Sequence, residues 1–154
     1  RQQGFNQQIL GADASDDSQC PVGGGEAFDG YILTGFGGAD VLSGDAATRA
    51  EDFAAFFNEV YPDAADFNGF TLAGADSYNV MVQAVNNAGS ADPDAVLDAL
   101  QNLEGYPGVS GDITYAGTDG TPADRTIAFF QYSVPGADGS EWTKSSLFGI
   151  GTGQ

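Results

Sequence analysis

Three carboxylates, Asp13, Asp16 and Asp17, follow the apolar stretch Gln8-Ile9-Leu10-Gly11-Ala12. Asp13 stands at the carboxyl end of a predicted buried strand. In open α/β sheets, ligands bind outside those ends. A carboxylate placed there suits a ligand ammonium or hydroxyl. The plainer alternative is an Asp that opens a loop and caps the next turn, and the residue pattern leaves both open. The cluster lacks the D-x-[DN]-x-[DN]-G spacing of an EF-hand loop. Paired carboxylates also serve glycoside hydrolysis. Among 22 acids in 154 residues, however, close pairs arise by chance.

Other chemistry-bearing positions read more simply. The segment Phe36-Gly37-Gly38-Ala39-Asp40-Val41-Leu42-Ser43-Gly44-Asp45 resembles one turn of a calcium-binding nonapeptide repeat. Calcium there needs stacked turns, and only one copy occurs, so the expectation is a Gly-rich loop and no metal site. Cys20, beside Pro21 and Gly23–Gly25, fits no redox or zinc pattern and reads as a bare, half-buried thiol. Neither GxxxxGK[ST] nor GxGxxG occurs, so those glycines form no phosphate loop. Phe70, Tyr31 and Tyr106 could stack on a ligand, though aromatics near element ends generally serve the core. Arg125 and Lys144 read as isolated surface counter-charges.

Composition narrows the chemistry further. The absence of His rules out imidazole bases and imidazole zinc sites. One Cys forms no internal disulfide. Four basic residues and a net charge of −18 make nucleic acid a poor partner, because phosphate binding needs clustered Lys and Arg. Lys is depleted as well as Asp enriched, and the acids run from Asp13 to Glu141. That pattern points to a surface suited to high salt, where the Debye length falls to about 3 Å and self-repulsion is screened. The start, Arg1-Gln2-Gln3-Gly4-Phe5, shows no charged segment followed by an apolar one, so no signal peptide is read.

The elements that must position these residues follow from period and punctuation. Residues 8–13 and Tyr31-Ile32-Leu33-Thr34 are compact strands, separated by a polar loop or a short helical turn. Phe53, Phe56, Phe57, Val60 and Tyr61 form one apolar stripe of a helix, with Asp45 as its cap and Pro62 at its end. A second helix spans about 74–88, with Tyr78, Met81, Val82 and Val85 on one face and Gly89 just beyond its end. Asp92-Pro93 opens a third helix carrying Val96, Leu97, Leu100 and Leu103. Ile113-Thr114-Tyr115 and Thr126–Val134 are strands, with a turn at Asp119-Gly120. Residues 135–154 read as a turn and a short apolar tail. The order β, β, α, α, α, β, β indicates an α/β architecture.

Six passages then align in order. They are Ile9-Leu10-Gly11-Ala12-Asp13, Glu26-Ala27-Phe28-Asp29-Gly30-Tyr31-Ile32-Leu33-Thr34, Phe53–Pro62, Gly74-Ala75-Asp76-Ser77-Tyr78-Asn79-Val80, Asn87–Val96 and Gly108-Val109-Ser110-Gly111-Asp112-Ile113-Thr114-Tyr115. Together they resemble the type I periplasmic binding proteins, in particular the branched-chain amino-acid (Leu/Ile/Val-type) substrate-binding proteins of ABC importers. The resemblance covers roughly residues 7–143 and only the C-terminal two-fifths of the family's length. It implies a Venus-flytrap fold of two Rossmann-like lobes. Residues 1–34 would end the second lobe, 35–45 would form a crossover loop, 46–134 would close the first lobe, and 135–154 would be the terminal turn and tail. The rest of the lobes would come from a missing N-terminal part of the same protein.

The resemblance further implies an extracellular or periplasm-equivalent solute-binding protein. It would bind a branched-chain amino acid, or a similar small amino acid or amide, by hinge closure, deliver it to a membrane permease, use no cofactor and catalyse no reaction. Asp13 falls where the family receives the ligand's α-ammonium, and Phe70 near an aromatic wall of the cleft. Ala75 stands where the family has Tyr. A ligand-sensing ectodomain of the same fold and a calcium-dependent surface protein are the alternatives.

Overall fold

The computed structural model describes residues 4–64, 67–123, 125–133 and 142–151. Along the chain run strand β1 (Leu10–Gly11), a 3-10 turn (Asp13–Ser15), helix α1 (Gln19–Gly24), a second 3-10 turn (Gly25–Phe28) and strand β2 (Ile32–Phe36). Helices α2 (Gly44–Val60), α3 (Gly69–Ala88) and α4 (Pro93–Gln101) follow, then β3 (Tyr106–Gly108), β4 (Gly111–Ile113), β5 (Thr126–Ser133) and β6 (Thr143–Gly151).

Local signals place most of these boundaries. The Asp92 carboxylate accepts the N–H groups of Asp94 and Ala95 at 3.1 and 3.2 Å, and Pro93 fills the first helical position. This satisfies donors that a helix start leaves orphaned. Gly89 adopts φ +59° beyond α3, a left-handed conformation that costs glycine little. At α2 the cap differs from expectation. Ser43 holds the N-cap position without a side-chain bond, and Asp45 lies in the first turn. There its charge faces the positive end of the helix dipole. Helix α3 starts at Gly69, five residues before the predicted 74. Asn68 and Thr71 form a capping box, a local signal that the reading overlooked.

The main sheet has the order β1-β2-β5-β6. Strand β1 pairs parallel with β2, and β2–β5 and β5–β6 are antiparallel. A separate β3–β4 hairpin pairs Tyr106 with Ile113. Strand β5 alternates as a half-buried strand must, burying Ala128, Phe130 and Tyr132. With Leu33 these form one core, covered by Phe28, Tyr31, Val41 and Trp142. A second core joins Val80 of α3 to Leu103 and Ile113. Each fully buried large side chain, Leu33 or Tyr132, contributes about 1.5–3 kcal/mol.

Several expectations need correction. Strand β1 is two residues long, and Leu10 is 63 % exposed because β1 lies at the sheet edge rather than within it. Strand β2 runs on to Phe36, two residues into the predicted crossover loop. The apolar tail is the long strand β6, whose polar first half gave no strand pattern but which pairs with β5 along its length. Residues 134–141 lie outside the described residues, Val134 and the predicted turn among them. The predicted faces of α2 and α3 are also largely uncovered. Phe56 is 59 % and Tyr78 71 % exposed, and Met81 and Val82 are exposed as well. Helix α3 instead buries Leu72, Asp76, Val80 and Ala84. That opposite stripe packs on α4, β2 and β3.

Candidate functional site

The Asp13–Asp17 loop leaves the carboxyl end of β1 and is held from several sides. The Tyr31 and Ser15 hydroxyls share a hydrogen bond at 2.9 Å. The Tyr132 hydroxyl donates to the carbonyls of Ser15 at 3.1 Å and Asp17 at 3.3 Å. Asn68, at the start of α3, donates from Nδ2 to the Asp16 carbonyl at 2.7 Å. The Gly69 N–H donates to Asp16 Oδ2 at 3.3 Å, and Lys144 of β6 is ion-paired with Asp16 Oδ1.

Within this frame the three acids divide. Asp16 is 3 % exposed. Asp17 is exposed and accepts the Gln19 N–H at 2.7 Å. Asp13 is half-buried, and its Oδ1 accepts the N–H of Ala14 at 3.0 Å. Asp13 therefore opens a turn, and the same carboxylate stands at the strand end where a ligand ammonium could be received. Phe70 is 46 % exposed at the start of α3, edge-on to Phe36 with ring centroids 6.1 Å apart. Gly69, its neighbour, touches Asp16. The fold thus ties the loop of Asp13 to the helix start of Phe70 through Asp16 and Asn68.

The remaining predicted residues take structural places. The Tyr31 ring lies tilted against Phe28, with centroids 4.7 Å apart, besides bonding Ser15. Tyr106 packs against the Val80–Leu103–Ile113 core. Cys20 is a half-buried free thiol in α1. Arg125 and Lys144 are not isolated surface charges. Arg125 donates to Ser110 Oγ at 2.7 Å and lies 5.7 Å from the centre of the Phe36 ring. Lys144 stands 4.8 Å over the Phe130 ring, beside Asp16. Their partners lie far away in sequence, so no local pattern marks them.

One buried acid escaped the reading of the sequence. Asp76 of α3 is 3 % exposed and accepts the N–H groups of Val109 at 2.7 Å and Ser110 at 2.9 Å, as well as the Ser110 hydroxyl. It pins the β3–β4 turn to α3. Beside it lies a cavity of about 560 Å³ bordered by Phe36, Asp76, Val80, Tyr115 and Arg125. A neighbouring cavity of about 850 Å³ reaches Met81, Leu97 and Leu100. Neither includes Asp13 or Phe70. Among the described residues no group of three or more His, Cys, Asp or Glu side chains could hold a metal ion. No described helix is long and apolar enough to cross a membrane.

This mixed α/β arrangement is that of the type I periplasmic binding fold. Leucine binding protein LivK from Thermotoga maritima superposes with a TM-score of 0.78 at 24 % identity, over 97 % of this chain and 39 % of its own. A type 1 periplasmic binding protein from Bordetella pertussis gives 0.70 at 20 % identity, over 95 % and 41 %. The leucine-, isoleucine-, valine-, threonine- and alanine-binding protein from Brucella ovis, in its closed conformation, gives 0.71 at 16 % identity, over 98 % and 38 %. The chain spans about two-fifths of the length of these structures. No curated protein matches it. The periplasmic binding protein family model matches residues 1–140, and the chain belongs to that family.

Proposed function

We propose that this chain is part of an extracellular or periplasmic solute-binding protein of an ABC importer. It binds a branched-chain amino acid, or a similar small amino acid or amide, by hinge closure and passes it unchanged to a membrane permease. The observation that carries this reading is the clamped loop. Asp13 stands half-buried at the carboxyl end of β1, and the loop behind it is fastened to the helix start that bears Phe70. In this reading the Asp13 carboxylate accepts the ligand ammonium and Phe70 packs against its apolar side chain. The ligands named for the solved relatives, leucine among them, support the ligand class.

Residues 1–34 then end the second lobe, 35–45 cross over, 46–134 close the first lobe and 135–154 finish the chain. The exposed apolar faces of α2 and α3 support a first lobe completed by further polypeptide of the same protein. Large apolar patches left exposed on a monomer usually mark contact surfaces.

The test is isothermal titration of the complete gene product with L-leucine, beside its Asp13→Asn variant. A charge-assisted hydrogen bond contributes about 1.5–3 kcal/mol, so D13N should weaken leucine about tenfold or more. Equal affinity in the two proteins refutes the role of Asp13.

A further inference from the structure

We propose that Asp16 is the positioning residue of this site: its buried carboxylate, paired with Lys144, locks the loop that carries Asp13 against the helix start that carries Phe70. The inference rests on the reading of Asp13 as the ammonium acceptor.

The first ground is burial. Asp16 is the one loop acid withdrawn from water, and an ionised carboxylate is costly to bury unless it is paired and hydrogen-bonded. Here it meets Lys144 Nζ at one oxygen and the Gly69 N–H at the other. It also faces the positive end of the 20-residue helix α3. Lys144 is fixed in turn by β6 and by the Phe130 ring beneath its ammonium.

The second ground is redundancy. Asp16 caps only the first N–H of helix α3, that of Gly69. Asn68 Oδ1 already accepts the Phe70 N–H at 3.0 Å and the Thr71 N–H at 3.3 Å, and Thr71 closes the capping box. A buried ion pair is also a weak source of net stability compared with apolar packing, and the best-attested reason to keep one is geometric register. Register is what this pair supplies. Asn68 touches the Asp16 carbonyl with Nδ2 and the Phe70 N–H with Oδ1, so one side chain spans the two halves of the site. Without the Asp16 charge, the loop end nearest α3 loses its ion pair to Lys144 and keeps at most a neutral hydrogen bond to the Gly69 N–H.

The complete gene product and three variants, D16N, the double variant D16N/K144M and D13N, separate positioning from mere folding. L-Leucine is the probe, followed by titration, with thermal unfolding and amide hydrogen exchange measured alongside. Removing the Asp16 charge strands the half-buried Lys144 ammonium, so D16N should unfold at a lower temperature. The double variant removes both charges and should recover most of that stability. The expected result is a double variant of near wild-type stability that still binds leucine about tenfold more weakly, within the usual range for coupling between groups. Faster exchange over residues 13–17 and 68–71 should accompany it. A double variant that regains stability and affinity together shows a structural pair only and overturns the proposal. Unchanged exchange in those segments overturns it as well. If D13N alone leaves leucine binding unaltered, the Asp13 reading fails and the positioning role falls with it. The two failures are distinct, because in the first D13N still weakens binding.

Discussion

Replacing Asp76 by Ala should be among the most damaging single changes in this chain. The carboxylate is buried and accepts two backbone N–H groups, of Val109 and Ser110, at 2.7 and 2.9 Å. It also takes the Ser110 hydroxyl, which in turn accepts from Arg125 at 2.7 Å. Backbone and carboxylate approach so closely that a Cβ at Gly108 would stand 2.8 Å from Asp76 Oδ1. An orphaned buried donor costs about 1–3 kcal/mol; the Ser110 N–H is buried and the Val109 N–H part-buried, so the loss for Asp76→Ala should be at least about 1–3 kcal/mol. A domain of this size has about 5–15 kcal/mol in total. The assay is urea unfolding of the complete gene product followed by circular dichroism. The midpoint should fall sharply and the β3–β4 amides should exchange faster. The loss should be similar at 0.1 and 1 M salt, because screening reaches buried groups little. A loss below about 1 kcal/mol would refute the assignment of Asp76 as the tie of the hairpin.

Two further outcomes follow from the charge distribution. With a net charge of −18 and the cations Arg49, Arg125 and Lys144 each engaged within the fold, acid–acid repulsion should be relieved mainly by salt. Far-UV circular dichroism should therefore weaken between molar and millimolar salt, and an unchanged spectrum counts against a salt-adapted surface. Asp119 accepts the Thr121 N–H at 3.0 Å, which holds its carboxyl below the usual aspartate value. The support it lends the 118–121 turn is complete above the unfolded-state pKa and is lost as pH falls through the lowered folded value. A nuclear magnetic resonance titration of that carboxyl with a midpoint at or above the usual value contradicts this.

What the sequence determined by itself was local. The Asp92-Pro93 start of α4, the Gly89 end of α3 and the alternation of β5 need only neighbouring residues to act, through orphaned N–H groups, left-handed φ and the pleat. The order of six short passages was enough to place the chain in its family. Asp13 stood out because a strand end is itself a local feature.

Tertiary structure decided what depends on distant partners. Strand β6 has a polar first half, Thr143-Lys144-Ser145-Ser146, and becomes a strand because β5 offers it a row of unpaired peptide groups. Helix α3 carries apolar residues on more than one side, so its buried stripe was chosen by what packs against it and not by its period. Asp16, Asp17 and Asp13 look alike in sequence. Only Asp16 is buried, because Lys144, 128 residues away, arrives through β6 to neutralise it. Burying a carboxylate is costly unless distant donors or a cation compensate it, as Lys144 does for Asp16 and the Val109 and Ser110 N–H groups do for Asp76, and no local pattern announces where those partners will come from.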